Sequence, residues 1–357
     1  MRISTIALLF LCAFASEGIA QSAGSAAPPA NPPPQKSLVY CETDPDAIEG
    51  FNEKPAITRR MIDDLVLATT HEKDLGKAWR TLVSPSDRVG IKLATSGGRY
   101  FSSHPGIVSA ILSGLEASGI PRSKVTLWDR ESANLRAAGY TEQRGGYALR
   151  AIDPPHGWDP KAKVVAPMFG KLIWGDFMFH GAPPGHITTS LESDQLSADS
   201  YFGAVLSKDV TKIINVAVLS DEPGCGVAGV MYNVTVPNID NNRRFTQPGG
   251  ASSIVDLYMN SQIGPKVVLN VLDGLVAQYA GGPSFNPNYS FHHRTLYASK
   301  DPVALDATAL RLIEGWRKEA KLPAIGEHGD WLQEAQVMGV GQFAESGIEI
   351  RSVGPAQ

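Results

Sequence analysis

The sequence predicts an α/β fold in which a central, mostly parallel sheet is flanked by helices. Residues 88–93 and 125–128 are short apolar runs typical of buried strands. Between them, residues 104–118 place apolar side chains at helical spacing, namely Ile107, Val108, Ile111, Leu112 and Leu115. A strand–helix–strand crossover makes its two strands parallel neighbours. A third apolar run, residues 213–219, predicts a central strand of the same sheet.

The remaining elements follow from helical and strand patterns along the chain. Helices are predicted over residues 57–70, 75–83, 132–146 in part, 201–210, 252–262, about 301–320 and 328–338. The last but one begins at Asp301-Pro302, an N-cap followed by Pro at the first helical position. Strands are predicted over residues 147–152, 171–179, 266–272, 275–279 and 292–298, with Asp273-Gly274 as a hairpin turn.

The N-terminus has the pattern of an export signal. Arg2 precedes an apolar run over residues 6–14, and small residues before position 21 predict cleavage after Ala20. The apolar run is too short for a permanent membrane span. We therefore expect a protein exported to the periplasm or the extracellular space, with residues 1–20 as signal peptide.

Composition separates a tether from a single domain. Residues 21–36 are rich in Ala and Pro, and residues 37–55 are acidic without clear periodicity, so 21–56 is interpreted as a tether and an irregular arm. Residues 57–357 are expected to form one α/β domain with a loop-rich insertion at about 153–200. The hydrophobic content of 43% is a globular value. A net charge of −4 without a basic stripe argues against nucleic-acid binding and against attachment to a membrane surface.

Cleavage of the signal leaves two cysteines. In an oxidising compartment Cys41 and Cys225 either pair as a disulfide or remain as two thiols, with Cys225 in a Gly-rich turn. No CxxC pair is present, so we expect neither an iron–sulfur cluster nor a structural zinc site.

Several segments resemble the domain of unknown function 362 family in order and spacing over residues 88–313. They are Ile91-Lys92, the strand ending at Asp129, residues 214–216 through Gly226-Val227 to Asn233, and the C-terminal pair 272–275 with 298–307. The sequence departs from the family where Ser220-Asp221-Glu222 replaces a Lys-x-His and where Tyr232 replaces a Lys. The resemblance implies an α/β ligand-binding frame and no particular reaction.

Polar residues at strand ends are the first candidates for a site. Lys92 and Asp129 close two parallel strands, and open α/β sheets bind ligands at the carboxyl ends of their strands. Asn233, Asn241 and Arg243 follow the central strand and offer amide and guanidinium groups to a polar ligand. The alternatives are purely structural roles: a solvated lysine, an aspartate that caps a helix and asparagines that form turns.

The acidic turn and a histidine pair are the second group of candidates. Asp221 and Glu222 can bind a divalent metal or act in acid–base chemistry, and the alternative is an exposed acidic turn. His292 and His293 are adjacent on a predicted strand, so they point to opposite faces and only one can enter a cleft. These residues give two hypotheses: a binding protein for a small polar or anionic ligand or a metal complex, and a metal-assisted or acid–base enzyme using Glu222 and one histidine.

Overall fold

An eight-stranded sheet organises the chain, and the order of its strands confirms the α/β prediction. The structure is a computed structural model that describes residues 36–141, 145–153, 157–165, 199–240, 242–246 and 251–355. The sheet contains β1 (Ser37–Thr43), β4 (Val89–Lys92), β5 (Val125–Asp129), β6 (Ala148–Ala151), β9 (Lys212–Val218), β12 (Val267–Gln278), β13 (Ser290–Ser299) and β14 (Ile348–Ser352). Its order is β14-β1-β13-β12-β9-β4-β5-β6.

Most neighbouring pairs in the sheet are parallel. Only β13 runs antiparallel to its neighbours, β1 and β12. The shorter strands lie outside this sheet and form two-stranded pairs: β2 (Ile48–Glu49) with β3 (Asn52–Glu53), β7 (Trp158–Val165) with β8 (Asp199–Gly203), and β10 (Asp221–Glu222) with β11 (Gly226–Val227). The carboxyl ends of β4, β5 and β9 therefore meet at one edge of the sheet.

Helices cover both faces and enclose two hydrophobic cores. One face carries α1 (Pro55–Thr70), α2 (Leu75–Leu82), α3 (Pro105–Ala117) and α4 (Ser132–Ala137). The other carries α5 (Val230–Thr235), α6 (Ser253–Met259), α7 (Pro302–Glu319) and α8 (Trp331–Val337). As predicted, Asp301 caps α7, because its carboxylate accepts a hydrogen bond from the Ala304 amide at 2.9 Å. Within the described residues, no helix is long and apolar enough to cross a membrane.

The predicted hairpin at Asp273-Gly274 is wrong, because β12 continues through both residues. A β-bulge between Gly274 and Val276 shifts the register against β13 and absorbs the irregularity. A Cβ on Gly274 would lie 2.7 Å from the Thr295 carbonyl oxygen, so glycine allows the close approach of β13. The Asp273 carboxylate accepts hydrogen bonds from the amide and the ring Nδ1 of His104 at 2.9 and 2.7 Å.

Two further predictions are wrong. Residues 37–43 are not part of an irregular arm, because β1 inserts between β13 and β14 and buries Val39 and Tyr40. Residues 201–210 are not one helix: their first part belongs to β8, and a single π-helical turn, Val205–Asp209, follows. Pairing with β7 satisfies the backbone of β8 and overrides its helical pattern. The predicted strand at 171–179, most of the insertion, the signal peptide and the Ala/Pro tether lie outside the described residues.

Candidate functional site

A cleft of about 180 Å³ lies at the carboxyl ends of β4, β5 and β9. We call it the strand-end cleft. It is lined by Ala94, Thr95, Ser96, Phe101, Asp129, Arg130, Glu131, Asn134, Val218, Ser220, Ala228, Tyr232, Asn233, Pro237, Asn242 and Pro283. This is the position at which open α/β sheets collect ligands.

Asp129 is one of the residues that line this cleft, and its partner Lys92 lies buried behind it. The Lys92 ammonium is fully buried and donates to Asp129 Oδ1 at 2.7 Å, Asn233 Oδ1 at 3.1 Å and the Leu93 carbonyl at 2.5 Å. All three of its donors are used. Burial lowers the pKa of Lys92, although the carboxylate of Asp129 opposes the shift. Lys92 therefore supports the cleft and has no free N–H for a ligand.

The carboxylate of Asp129 also accepts several hydrogen bonds from the protein. Its Oδ1 also accepts from the Arg130 amide at 2.8 Å, and its Oδ2 accepts from the Thr95 amide and hydroxyl at 2.8 and 2.5 Å. Four donors from the protein thus converge on one side chain. A carboxylate held in this way fixes the ends of β4 and β5 together and is poorly placed to act as a base.

Asn233 links this ion pair to the interior of the sheet. Its Nδ2 donates to Asn215 Oδ1 at 2.8 Å, and Asn215 Nδ2 donates to Asn270 Oδ1 at 3.0 Å. The chain of amides crosses β9 and β12 through an otherwise apolar region. These two hydrogen bonds tie α5 to the central strands β9 and β12.

The short helix α5, which carries Tyr232 and Asn233, is anchored from α7. Asp306 is fully buried, and its carboxylate accepts from the Val230 amide at 2.6 Å and the Met231 amide at 2.9 Å. Burial raises the pKa of Asp306 to about 7, although the two amides oppose the shift. The sequence segment 298–307 therefore positions one wall of the strand-end cleft.

Two side chains that the sequence analysis did not select offer groups to a ligand. Arg130 Nη1 donates to the carbonyls of Pro237 and Ile239 at 3.3 and 2.8 Å, and its guanidinium lies 5.0 Å from the ring centroid of Trp158. These contacts orient the side chain and leave its other N–H groups for the cleft. Arg130 immediately follows Asp129, and its position directly after a strand was the signal for it.

Tyr232 is the second such side chain. It is half-buried in the cleft wall, and burial raises the pKa of its hydroxyl well above the usual value. The hydroxyl therefore stays protonated at physiological pH and is available as a hydrogen-bond donor. Its place in the family pattern, where a Lys is usual, was the sequence signal.

The other asparagine and arginine candidates cannot be placed in the cleft. Asn241 lies outside the described residues, and so does the side chain of Arg243.

Glu222 and Asp221 stabilise a turn beside a second cavity. Glu222 Oε2 accepts from the amides of Gly224 and Cys225 at 2.7 and 2.8 Å and from the Cys225 thiol at 3.1 Å. Asp221 Oδ1 accepts from the Gly282 amide at 2.9 Å, and burial raises the pKa of Asp221. The two carboxylates line a cavity of about 340 Å³. Across the ranges that the structure describes, no group of three or more His, Cys, Asp or Glu is arranged to hold a metal ion.

The histidine pair occupies both faces of β13, as the strand pattern predicts. His292 is exposed, and its ring centroid lies 6.2 Å from that of Phe51. His293 packs 5.1 Å from the Trp316 ring on the other face, its ring nitrogen lies 2.7 Å from the Tyr297 hydroxyl, and burial lowers its pKa to about 4. Among the described contacts, none joins either histidine to Glu222. The structure therefore does not assemble the predicted acid–base group.

Both cysteines are free in the structure, which does not contain a Cys41–Cys225 disulfide. Cys225 is buried, and burial raises the pKa of its thiol well above the usual value. Burial also raises the pKa of Cys41, which is half-buried. A buried, protonated thiol is a poor nucleophile.

Comparison with known proteins confirms the family resemblance over part of the chain. The family model described as Domain of unknown function (DUF362) matches residues 193–311. This range contains β9, α5 and the segment 298–307 with Asp306. No curated protein matches the sequence.

One solved structure with similarity to this chain is the crystal structure of a protein from Thermotoga maritima. The two share 10% sequence identity with a TM-score of 0.40, and the alignment covers 77% of this chain and 61% of the other.

Proposed function

We propose that the strand-end cleft binds a small polar ligand that carries an acidic group. The proposal rests on two donors that line one cavity: Arg130, which the Pro237 and Ile239 carbonyls orient, and Tyr232. A guanidinium binds carboxylate or phosphate oxygens through charge-assisted hydrogen bonds, and a protonated phenol adds a further donor.

The charges beneath the cleft support this proposal. Lys92 neutralises Asp129, so the buried carboxylate does not repel an anion as an isolated charge would. The Glu131 carboxylate also lines the cleft, but it is exposed to solvent at the rim, where it accepts from Asn134 Nδ2 at 3.0 Å. Arg130 is the cation among the lining residues, and its N–H groups select an acidic ligand.

The volume of the cleft limits the ligand. About 180 Å³ corresponds to roughly six water molecules at about 30 Å³ each. We therefore expect a single acidic group with a few further atoms to be enclosed. A larger ligand extends beyond the cleft mouth.

The predicted signal peptide makes export part of this proposal, so that the ligand is one met in the periplasm or outside the cell. The enzyme alternative has less support, since Glu222 is bonded within its own turn. Elemental mass spectrometry of protein purified without chelator tests the metal version, and a stoichiometric transition metal would revive it.

A melting-temperature screen tests the binding proposal. Acetate, phosphate, glucuronate and galacturonate are added to the wild type and to the Arg130→Gln and Tyr232→Phe variants. A ligand that binds only the folded state increases the free energy of unfolding, by about 2.7 kcal/mol at a concentration of 100 Kd. The melting temperature therefore rises. We expect at least one acid to stabilise the wild type and to do so less in both variants.

The control is Arg88→Gln. Arg88 also donates to two backbone carbonyls, those of Asp209 and Lys208, but it lies at the opposite end of β4. Stabilisation by acids should survive in this variant. If no acid stabilises the wild type, or if Arg88→Gln weakens the effect as much as Arg130→Gln, the proposal is wrong.

A further inference from the structure

Four aromatic side chains gather at the surface beside the strand-end cleft. Phe51 comes from the β2–β3 turn, Tyr100 from the loop after β4, Phe285 from the β12–β13 loop and His292 from β13. The Phe51 ring centroid lies 4.9 Å from that of Tyr100, 5.6 Å from Phe285 and 6.2 Å from His292. We call this group the aromatic platform.

The platform is open to solvent. Phe51 is 41% exposed and Tyr100 is 45% exposed, and both are among the few large hydrophobic side chains with such exposure in the described chain. Exposed aromatic groups that cluster at one place mark a binding surface more often than isolated ones do.

The platform is continuous with the cleft. Phe101 lines the cleft, and its ring centroid lies 6.0 Å from that of Phe285. The Ser96 hydroxyl, at 3.4 Å from the Pro283 carbonyl, joins the two loops at the cleft wall. A ligand held in the cleft by its acidic end therefore meets aromatic rings where it leaves the mouth.

The ring geometry gives the platform a faceted surface without a slot between parallel rings. The planes of Phe51 and Tyr100 are inclined at 55°, those of Phe51 and Phe285 at 87°, and those of Tyr100 and Phe285 at 45°. These three rings therefore form no parallel pair that could enclose a flat base. A faceted aromatic surface instead suits the C–H faces of pyranose rings, which are apolar and not planar.

A second cation extends the charge pattern of the cleft onto the platform. Arg99 is exposed, and its guanidinium carbon lies 5.9 Å from the Tyr100 ring centroid. The surface thus presents two cations, Arg130 in the cleft and Arg99 beside the Tyr100 ring of the platform. Two cations next to aromatic rings match a chain that carries both acidic groups and apolar ring faces.

We infer that the cleft and the aromatic platform together bind an acidic oligosaccharide, with the acidic group of its terminal sugar in the cleft and the following units on the platform. This inference rests on the proposed function of the cleft and adds the class of ligand.

The test begins with an oligosaccharide array of uronic-acid, sialylated and sulfated glycans, with neutral glycans and oligothymidylate as comparisons. The best ligand and its terminal acidic monosaccharide are then titrated by calorimetry into the wild type. We expect an acidic glycan to be preferred and the oligosaccharide to bind at least tenfold more tightly than the monosaccharide. The difference in affinity between the oligosaccharide and the monosaccharide should be smaller in Arg99→Gln.

The decisive variant is Phe51→Ala with Tyr100→Ala. It should lose the tenfold gain while its affinity for the monosaccharide stays within twofold of wild type. The control is Met259→Ala with Val337→Ala, which removes exposed apolar side chains on α6 and α8. This control should retain the full gain.

Three results would overturn the inference: no acidic oligosaccharide binds, neutral glycans or oligothymidylate bind equally well, or the platform variant keeps the gain. If small acids still stabilise the wild type through Arg130 and Tyr232, only the oligosaccharide inference fails. If small acids do not stabilise it either, the proposed function fails as well.

Discussion

Replacing Lys92 with methionine tests how the buried ion pair supports the cleft. Methionine fills the apolar path of the lysine stem but removes the ammonium and its three hydrogen bonds. The Asp129 carboxylate then loses its buried counter-charge, and the oxygens of Asn233 and Leu93 lose a donor. Removing one partner of a buried pair typically costs 3–5 kcal/mol.

The lowered pKa of Lys92 reduces the expected effect. Burial disfavours the charged ammonium, so removing that charge also removes its desolvation penalty. This gain partly offsets the loss of the ion pair. We therefore expect Lys92→Met to lower the free energy of unfolding by about 3 kcal/mol, at the lower end of that range.

Urea unfolding followed by tryptophan fluorescence measures this change, since Trp128 is fully buried on β5 next to Asp129. Lys124→Met is the control, because the Lys124 ammonium donates to the exposed Pro85 carbonyl at the surface, and the unfolding midpoint of this variant should stay near wild type. The double variant Lys92→Met with Asp129→Asn should cost less than the sum of the single changes, because the two groups are in contact. A loss below about 1 kcal/mol in Lys92→Met would mean that the buried ion pair contributes little to stability.

Three further predictions follow from the fold. Because the pKa of Asp306 is raised, its contribution to stability is fully present below pH 3.8, the ordinary pKa of the group, and is lost as pH rises through about 7. Asp306→Asn should therefore remove this decline when the free energy of unfolding is measured in urea as a function of pH. An unchanged pH dependence in the variant would contradict this expectation. His293→Ala should lower the melting temperature by several degrees because the ring is packed on one face of β13, whereas His292→Ala should change it little; equal effects would count against the assignment of faces. Gly114→Ala should lower the free energy of unfolding by about 1–3 kcal/mol, since the added Cβ would lie 1.9 Å from Trp79 Nε1. In Gly315→Ala the added Cβ meets no atom within 4 Å, so this variant should be neutral or stabilising in thermal unfolding. Destabilisation by both changes would show that the contact with Trp79 is not the cause.

Local patterns predicted the strand–helix–strand unit and the placement of Lys92 and Asp129 at one edge of the sheet, but not the ion pair between them. Parallel strands place their carboxyl ends at one edge, so the two residues had to approach each other once β4 and β5 were paired. The sequence could not show that both side chains are saturated by Leu93, Thr95 and Asn233, because those contacts depend on the packing of three elements.

Long-range contacts explain why two elements of the fold were predicted wrongly. β1 is stabilised by β13 and β14, which lie more than two hundred residues away, so its own short pattern gave little indication of a strand. The Asp273-Gly274 pair has the chemistry of a turn, yet Asp273 binds His104 and Gly274 accommodates a bulge. In both cases tertiary contacts override a local preference.

The cleft residues that the sequence analysis missed have ordinary local surroundings. Arg130 gains its role from the carbonyls of Pro237 and Ile239, which fix its direction. Tyr232 gains its role from α5, which Asp306 anchors from a distant helix. Neither relation is visible in the sequence near the residue itself.

Calorimetric titration of the most stabilising small acid into the wild type and into Arg130→Gln tests whether the strand-end cleft binds an acidic ligand. We expect saturable binding to the wild type with one site per chain and an affinity at least tenfold weaker in the variant. Equal affinities in the two proteins, or no binding to the wild type, would contradict it.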